Sequence, residues 1–355
     1  MVRPLSVLIV DDSAVVRRML AQALEREPDI RVAGTAADPF VARDLIVQHN
    51  PDVMTLDVEM PRMDGISFLR RVMEHRPMPV IIVSSVTPQG SAASVEALRL
   101  GAIDVIAKSS GPGSVAQVSE QIVRRIREIR QGPRLRLRRL SAEMDAVAAR
   151  PASAARHAGG LVLVGASTGG TQAIEALLTR LPADGPPMLI VQHMPAQFTR
   201  AFADRLDRVC ALRVVEAAHN QALAPGTAYV APGDRHLTVE QHGVQLKTVL
   251  HDGPPLHYQR PSVDVLFQSA VGVADVPIVA VVLTGMGRDG ADGLKALRSS
   301  GAFTLAEDER SCVVFGMPRE AIARGGVSRV ATLFDMPAAI VAGFDRLRAA
   351  ERRRA

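Results

Sequence analysis

Along the chain, short, mostly apolar runs alternate with longer stretches in which apolar residues recur every three or four positions, and this happens in two separate series. The first series opens with an apolar run at 6–10 that ends in Asp11 and Asp12. Helical spacing follows over 14–27, with Ser13 placed to cap its first turn. Further buried strands are predicted at 53–56, 80–83 and 104–107, and helical patterns fall near 38–49, 65–75 and 91–100. Strands apolar on both faces, alternating with helices, imply a parallel sheet covered by helices on both sides.

Between about 131 and 160 the pattern decays into Arg, Ala, Ser and Pro, as in a linker. The second series then begins with a strand at 161–164, a helix at 172–181 and a strand at 188–192. Later strands are expected at 227–231, 236–240, 244–248, 278–283 and 302–305. His242-Gly243 between two alternating runs reads as a hairpin turn, so the second sheet is expected to carry an antiparallel excursion. The two series are not repeats of one another. The division predicted is a first domain over 1–125, a basic linker over 126–158 and a second domain over 159–350.

Composition narrows the class. A chain of 355 residues, 47% hydrophobic and 22% charged, can bury two full cores and is not a disordered polymer. Tryptophan is absent and aromatics reach only 3%, which argues against stacking platforms for bases or sugars. Cys210 and Cys312 make neither a disulfide framework nor a zinc set. Cys312 lies in the strand-like run 311–315 and is expected to be a buried, inert thiol, which fits a reducing cytoplasm. No apolar stretch is long enough to span a membrane, and no cleavage-site pattern follows the first apolar run. The net charge of +5 gathers at Arg124, Arg125, Arg127, Arg130, Arg134, Arg136, Arg138 and Arg139. With no recognition motif beside it, that run reads as a solvated linker and no nucleic-acid partner is expected.

The first candidate site is acidic. Ligands of a parallel α/β sheet collect at the carboxyl ends of its strands. Asp11 and Asp12 end the first strand and Asp57 ends a later one, while Ser84 and Lys108 follow two more. Converging carboxylates repel unless a cation neutralises them, and an oxygen shell with room for water suits Mg²⁺. A hydroxyl and an ammonium nearby can hold phosphoryl oxygens. The plainer alternative, that each acid caps a helix, explains any one of them but not the set.

The second candidate site is Gly165-Ala166-Ser167-Thr168-Gly169-Gly170, between an apolar strand and a helix. A G-x-S-x-G so placed presents a serine hydroxyl on a tight turn, with free N–H groups at the helix start. A glycine-rich phosphate loop is the alternative, but a dinucleotide site wants an acid closing the next strand, where this chain has Gln192-His193. Serine needs an adjacent base, and His193 stands at that strand end. Asp289, after the apolar run 278–283, is the candidate for an acid orienting the histidine. It could equally be only the cap of a helix starting near Gly290. The chain order Ser, His, Asp is not that of α/β-hydrolases.

Residues 3–125 resemble the receiver domain of bacterial two-component response regulators. The resemblance implies a doubly wound (βα)5 domain phosphorylated at Asp57 by a chemotaxis histidine kinase. It also implies Mg²⁺ at Asp11, Asp12, Asp57 and the Glu59 carbonyl, and phosphoryl contacts from Ser84 and Lys108. Two positions depart from the family pattern: Ser109 stands where proline usually follows the lysine, and Val105 replaces an aromatic residue. Residues 159–349 resemble the catalytic domain of the chemotaxis protein-glutamate methylesterase family. The motifs are the serine loop, Gln192-His193-Met194-Pro195, residues 231–236, Arg260-Pro261-Ser262-Val263-Asp264, residues 283–290 and Val314-Phe315-Gly316-Met317-Pro318. That resemblance implies a second doubly wound α/β domain, an esterase with a mostly parallel sheet and an antiparallel hairpin. It further implies Ser167 as nucleophile, His193 as base then acid, Asp289 as orienting carboxylate, Thr168 assisting His193 and the Met286 N–H as oxyanion donor. The elbow pattern adds the Thr168 N–H as a second donor. The activity implied is phosphorylation-activated hydrolysis of glutamyl γ-methyl esters, with glutamine deamidation, on the cytoplasmic helices of methylated chemoreceptors. No cofactor is expected for the esterase chemistry, and the expected setting is the cytoplasm without membrane insertion.

Overall fold

The computed structural model describes residues 3–60, 64–85, 87–108, 114–131 and 159–354. The chain divides into two compact units, Met1–Arg139 and Leu140–Ala355, each taken by itself below.

In the first unit β1 (Leu5–Val10), α1 (Ala14–Glu25), β2 (Ile30–Ala36), α2 (Pro39–His49), β3 (Val53–Leu56), α3 (Gly65–His75), β4 (Val80–Ser84), α4 (Pro88–Arg99), β5 (Asp104–Ala107) and α5 (Ser114–Gln131) alternate. The five strands pair in parallel in the order β2-β1-β3-β4-β5. The order reverses direction between β1 and β3, so their following loops diverge and open a crevice at the carboxyl edge. Ser13 caps α1 through the Val16 N–H, as its position predicts. Helix α4 starts earlier than the periodicity indicates, at Pro88, because Thr87 accepts the Gly90 N–H at 2.8 Å. Strand β2 is missing from the hydrophobic reading for a simple reason: it is an edge strand, and only Ile30 and Ala36 of its residues are buried.

Helix α5 also escapes that reading, because its arginines hide the apolar face. Val118, Ile122 and Ile126 recur every four residues and enter the core with Val7, Ile9, Val53, Ile81 and Leu24. Arg125 pairs with Asp104, and Arg127 pairs with Glu27 and, at 2.8 Å, with Asp29. These two cations are therefore tied to acids of their own unit and do not belong to a solvated run. Helix α5 continues to Gln131, past the expected linker start at 126. Arg134, Arg136, Arg138 and Arg139, the rest of that linker, and Ser109 lie outside the described residues.

The second unit contains β6 (Leu161–Ala166), α6 (Gly170–Leu178), β7 (Met188–Gln192), α7 (Ala196–Val209), β8 (Arg213–Glu216), β9 (Gln221–Ala222), β10 (Thr227–Val230), β11 (His236–His242), β12 (Gln245–His251) and α8 (Val263–Ser269). It continues with β13 (Ile278–Val282), α9 (Ala291–Ser299), β14 (Phe303–Glu307), α10 (Met317–Ala323), β15 (Arg329–Ala331) and α11 (Met336–Arg354). Seven strands pair in parallel in the order β15-β14-β13-β6-β7-β10-β8. The hairpin β11–β12 turns at Gly243 as expected, but it belongs to a separate antiparallel sheet, β11-β12-β9, and does not extend the large one. Its alternate residues Leu237, Val239, Leu246 and Leu250 share a core with Leu266 and Phe267 of α8, so that face is already buried. Cys312 is buried, but in the loop between β14 and α10 and not in a strand. Burial, with Glu307 nearby, pushes its thiol far above the usual range. No helix among the described residues is long and apolar enough to cross a membrane.

Ile126 is fully buried, so Ile126→Ala is expected to lower the stability of the first unit by about 2–4 kcal/mol, read from its urea midpoint. An unchanged midpoint would return residues 126–131 to the linker.

Candidate active site

Strands β13, β6 and β7 lie side by side, and the strand order reverses at β6. Ser167 follows β6, His193 follows β7 and the loop to Asp289 follows β13, so the three come from neighbouring carboxyl ends. The Ser167 N–H donates to the Thr284 carbonyl at 3.0 Å, and the Ser167 carbonyl accepts from Gly170 N–H at 2.7 Å. The Gln192 amide donates to the same carbonyl at 2.9 Å, so the residue that counts against a nucleotide site fastens the serine turn. The turn itself is made at Gly169, with φ of 77°, where an added Cβ would come 2.5 Å from Val313. Ser167 keeps a negative φ, unlike the strained serine of an α/β-hydrolase elbow.

His193 Nε2 lies 2.7 Å from Asp289 Oδ2, and both side chains are 2% exposed. Asp289 Oδ2 also accepts from the Val263 N–H at 2.7 Å. Its Oδ1 accepts from the Ser262 hydroxyl at 2.8 Å and the Asp264 N–H at 3.0 Å. Burial pushes this carboxyl up, but the His193 ring and the backbone donors outweigh it and hold its pKa down at about 2. Asp289 does not cap the helix it precedes: α9 is capped by Gly290 with no side-chain bond. It instead accepts from the first turn of α8, while Asp264 of α8 accepts the Gly293 N–H of α9 at 2.6 Å. The two helices thus exchange carboxylates. Burial, offset only in part by that N–H, raises the Asp264 carboxyl above the usual range, and His257 Nε2 stands 3.2 Å from it.

His193 Nδ1 is buried and has no hydrogen-bond partner among the described residues. Neither the Ser167 nor the Thr168 hydroxyl hydrogen-bonds the ring in this conformation. The Thr168 and Met286 N–H groups likewise have no acceptor among the described residues. Met286 sits one residue beyond a tightly held peptide, since Gly285 N–H donates to Val314 O and Gly285 O accepts from Gly316 and Met317. Thr284 before it donates its hydroxyl to Thr168 O at 3.0 Å and its N–H to Glu307 Oε2 at 2.7 Å. Burial pushes the Glu307 carboxyl up to about 7.

At the carboxyl edge of the first unit, oxygens of Asp11, Asp12 and Asp57 lie within 4.8 Å of one another. Lys108 Nζ reaches Asp57 Oδ2 at 2.6 Å and Asp11 Oδ2 at 2.8 Å. Burial raises the Asp57 carboxyl despite that ammonium. Burial also works against the Lys108 charge, but Asp57 and Asp11 outweigh it and raise its pKa. The two buried acids that contact Lys108, with the exposed Asp12 near them, form a hard-oxygen donor set, which fits Mg²⁺. The Glu59 carboxylate is engaged by Thr87 and Ser85, which leaves its carbonyl as the ligand it can offer. Ser84 is fully buried, with its hydroxyl 3.5 Å from the Gly90 and Ser85 carbonyls. Val105 is buried in this sheet.

The fold and these two sites define a receiver-linked hydrolase of α/β architecture. Residues 7–119 match the response regulator receiver domain family and residues 162–340 the CheB methylesterase family. The chain belongs to the CheB methylesterase family. A protein-glutamate methylesterase/protein-glutamine glutaminase of Syntrophus aciditrophicus is 47% identical over 331 residues, covering 93% of this chain and 96% of that one. One from Geobacter metallireducens is 48% identical, covering 94% of each. The crystal structure of the Thermotoga maritima CheB methylesterase catalytic domain matches with a TM-score of 0.50 and 35% identity, over 52% of this chain and 98% of that one.

Sequence reasoning passed over Ser262, Asp264, Gln192, Thr284 and Glu307 as members of this site. Ser262 and Asp264 stand in a motif that carries the resemblance, but only the packing of α8 against α9 shows what they hold. The depressed carboxyl of Asp289 implies stability that is present above about pH 4 and lost as pH falls toward 2. That component is on the order of 2 kcal/mol. Asp289→Asn is expected to lack it, so its urea midpoint should fall less than the wild type's between pH 4 and pH 2. Parallel curves would refute the buried-anion description.

Proposed function

We propose that this chain hydrolyses glutamyl γ-methyl esters on the cytoplasmic helices of chemoreceptors, and deamidates glutamines there, under the control of phosphorylation at Asp57. The observation that carries the reading is the buried His193–Asp289 pair, whose second ring nitrogen is unpartnered beside a serine turn. The names of the relatives, methylesterase and glutaminase, point the same way.

In the reaction, Ser167 Oγ attacks the ester carbonyl while His193 Nδ1 takes its proton. Asp289, on Nε2, holds the ring and offsets the charge of the imidazolium; the ring thus works in the reverse sense to the usual triad, in which the acid sits on Nδ1. The Met286 and Thr168 N–H groups receive the oxyanion. His193 returns the proton to the leaving methoxide, methanol departs, and an acyl-enzyme remains. Water, deprotonated by the same nitrogen, attacks the acyl carbon and frees the glutamate side chain and Ser167. With glutamine the leaving group is ammonia and the acyl-enzyme is the same, so one site serves both reactions. Thr168 supports the turn next to the nucleophile.

In the receiver, Asp57 takes the phosphoryl group from a histidine kinase. Asp11, Asp12, Asp57 and the Glu59 carbonyl would hold Mg²⁺, which when bound offsets the charge of the phosphoryl oxygens. Lys108 and Ser84 contact those oxygens from the ends of β5 and β4. The domain division proposed is a receiver through α5, a basic linker, and an esterase from residue 159. The setting proposed is the cytoplasm.

Methanol release from methylated chemoreceptor tests the reading. Ser167→Ala should lower the rate by a factor on the order of 10⁴ or more and abolish deamidation with it. A small phosphodonor should accelerate the wild type and leave Asp57→Ala unchanged. Deamidation surviving without Ser167 would break the single-site mechanism, and stimulation surviving in Asp57→Ala would move the phosphorylation elsewhere.

A further inference from the structure

We propose that Glu307 is a positioning residue of the esterase: as a neutral carboxylic acid it holds the 284–286 segment in register with the Ser167 turn, and its ionisation disturbs that register and slows ester cleavage. The inference rests on the reading of Met286 N–H as an oxyanion donor. Glu307 ends β14 and is fully buried, at 0% exposure. One carboxyl oxygen accepts the Thr284 N–H at 2.7 Å, and the other, also buried, has no hydrogen-bond partner among the described residues.

Thr284 joins three pieces of the site. Its carbonyl holds the Ser167 N–H at 3.0 Å, its hydroxyl donates to Thr168 O at 3.0 Å, and that hydroxyl accepts the Val314 N–H at 2.9 Å. Gly285, next in sequence, is locked to Val314, Gly316 and Met317. The Met286 N–H is therefore aimed by peptides whose first member is gripped by Glu307. No lysine, arginine or histidine pairs with Glu307 among the described residues. The groups facing it are Asp308, the next residue, whose charge raises it further, and the Ser311 hydroxyl and Cys312 thiol of the following loop, which with the Thr284 N–H act to lower it but do not outweigh burial. None of them compensates an anion with positive charge.

A neutral carboxyl with one unused O–H costs far less in such a place than a carboxylate with one bare oxygen. Burial accordingly raises this carboxyl to about 7, so it is protonated below that pH and ionised above it. The new charge must draw donors or water toward β14, and the peptide it grips is the one adjoining the oxyanion segment. A displacement of an ångström in such a segment is enough to cost about 10²-fold in rate.

The test is the pH dependence of ester hydrolysis by the full chain acting on methylated chemoreceptor. Wild type, Glu307→Gln and, as a blank, Ser167→Ala are compared. The amide of Glu307→Gln keeps an oxygen to accept from Thr284 but cannot ionise. The shape of its pH profile, not its absolute rate at pH 6, is therefore the readout. Above about pH 7 the wild type should lose kcat by about tenfold with little change in KM, and Glu307→Gln should not. A merely structural role would shift both curves without changing their shape. The same alkaline loss in both proteins overturns the proposal. Should Glu307→Gln fail to fold, wild type carrying ¹³C-carboxyl glutamate decides by infrared titration: a buried protonated carboxyl must vanish together with the rate, and its absence at pH 6 overturns the proposal. Hydrolysis that survives in Ser167→Ala would refute the nucleophile instead, leaving the carboxyl titration to judge Glu307.

Discussion

Four donors converge on the Asp289 carboxylate, and the second unit is arranged so that all four are supplied. Two are backbone N–H groups of α8, one is the Ser262 hydroxyl and the fourth is His193 Nε2. An unpaired carboxylate so deeply buried would shed its charge; here the donors hold it ionised beside the His193 ring. The helices that make this possible are bound reciprocally, because Asp264 of α8 accepts from α9 while Asp289 accepts from α8. Breaking either link would loosen both the packing of the two helices and the aim of the histidine.

The receiver site is organised by the opposite balance. There the carboxylates outnumber the cation, and Lys108 bridges Asp11 and Asp57. Burial pushes Asp57 toward neutrality while the ammonium opposes it. In both units the candidate site lies where neighbouring strand ends diverge. In both, the groups that matter most are buried acids whose charge depends on partners brought from elsewhere in the chain.

The elements legible in the sequence were those with strong, uninterrupted patterns. Strands β1, β3, β4, β5, β6, β7 and β13 are predominantly apolar and largely buried, as strands of a helix-covered parallel sheet are. Edge strand β2 lacked that signal because half of it meets solvent, and α5 was masked by arginines whose partners, Asp104, Glu27 and Asp29, are far away in sequence. The hairpin was legible from its alternation and its glycine. Its membership of a separate sheet was not, because that depends on α8 already lying against its apolar face.

For the site, residue type and position at a strand end were enough to select Ser167, His193, Asp289, Asp57 and Lys108 as candidates. Local sequence could not decide whether Asp289 caps its own helix or serves the histidine, because both readings need an acid at that point; the packing of α8 beside it decided. Nor could it mark Glu307 or Thr284, whose importance lies in hydrogen bonds between segments 23 residues or more apart. Hydrophobic periodicity is a local property and is written along the chain, so it determined the two α/β series and the strand ends where chemistry collects. Burial and charge pairing arise only when distant segments meet, so the ionisation of the buried acids, and with it the working arrangement of the site, was decided by the tertiary structure.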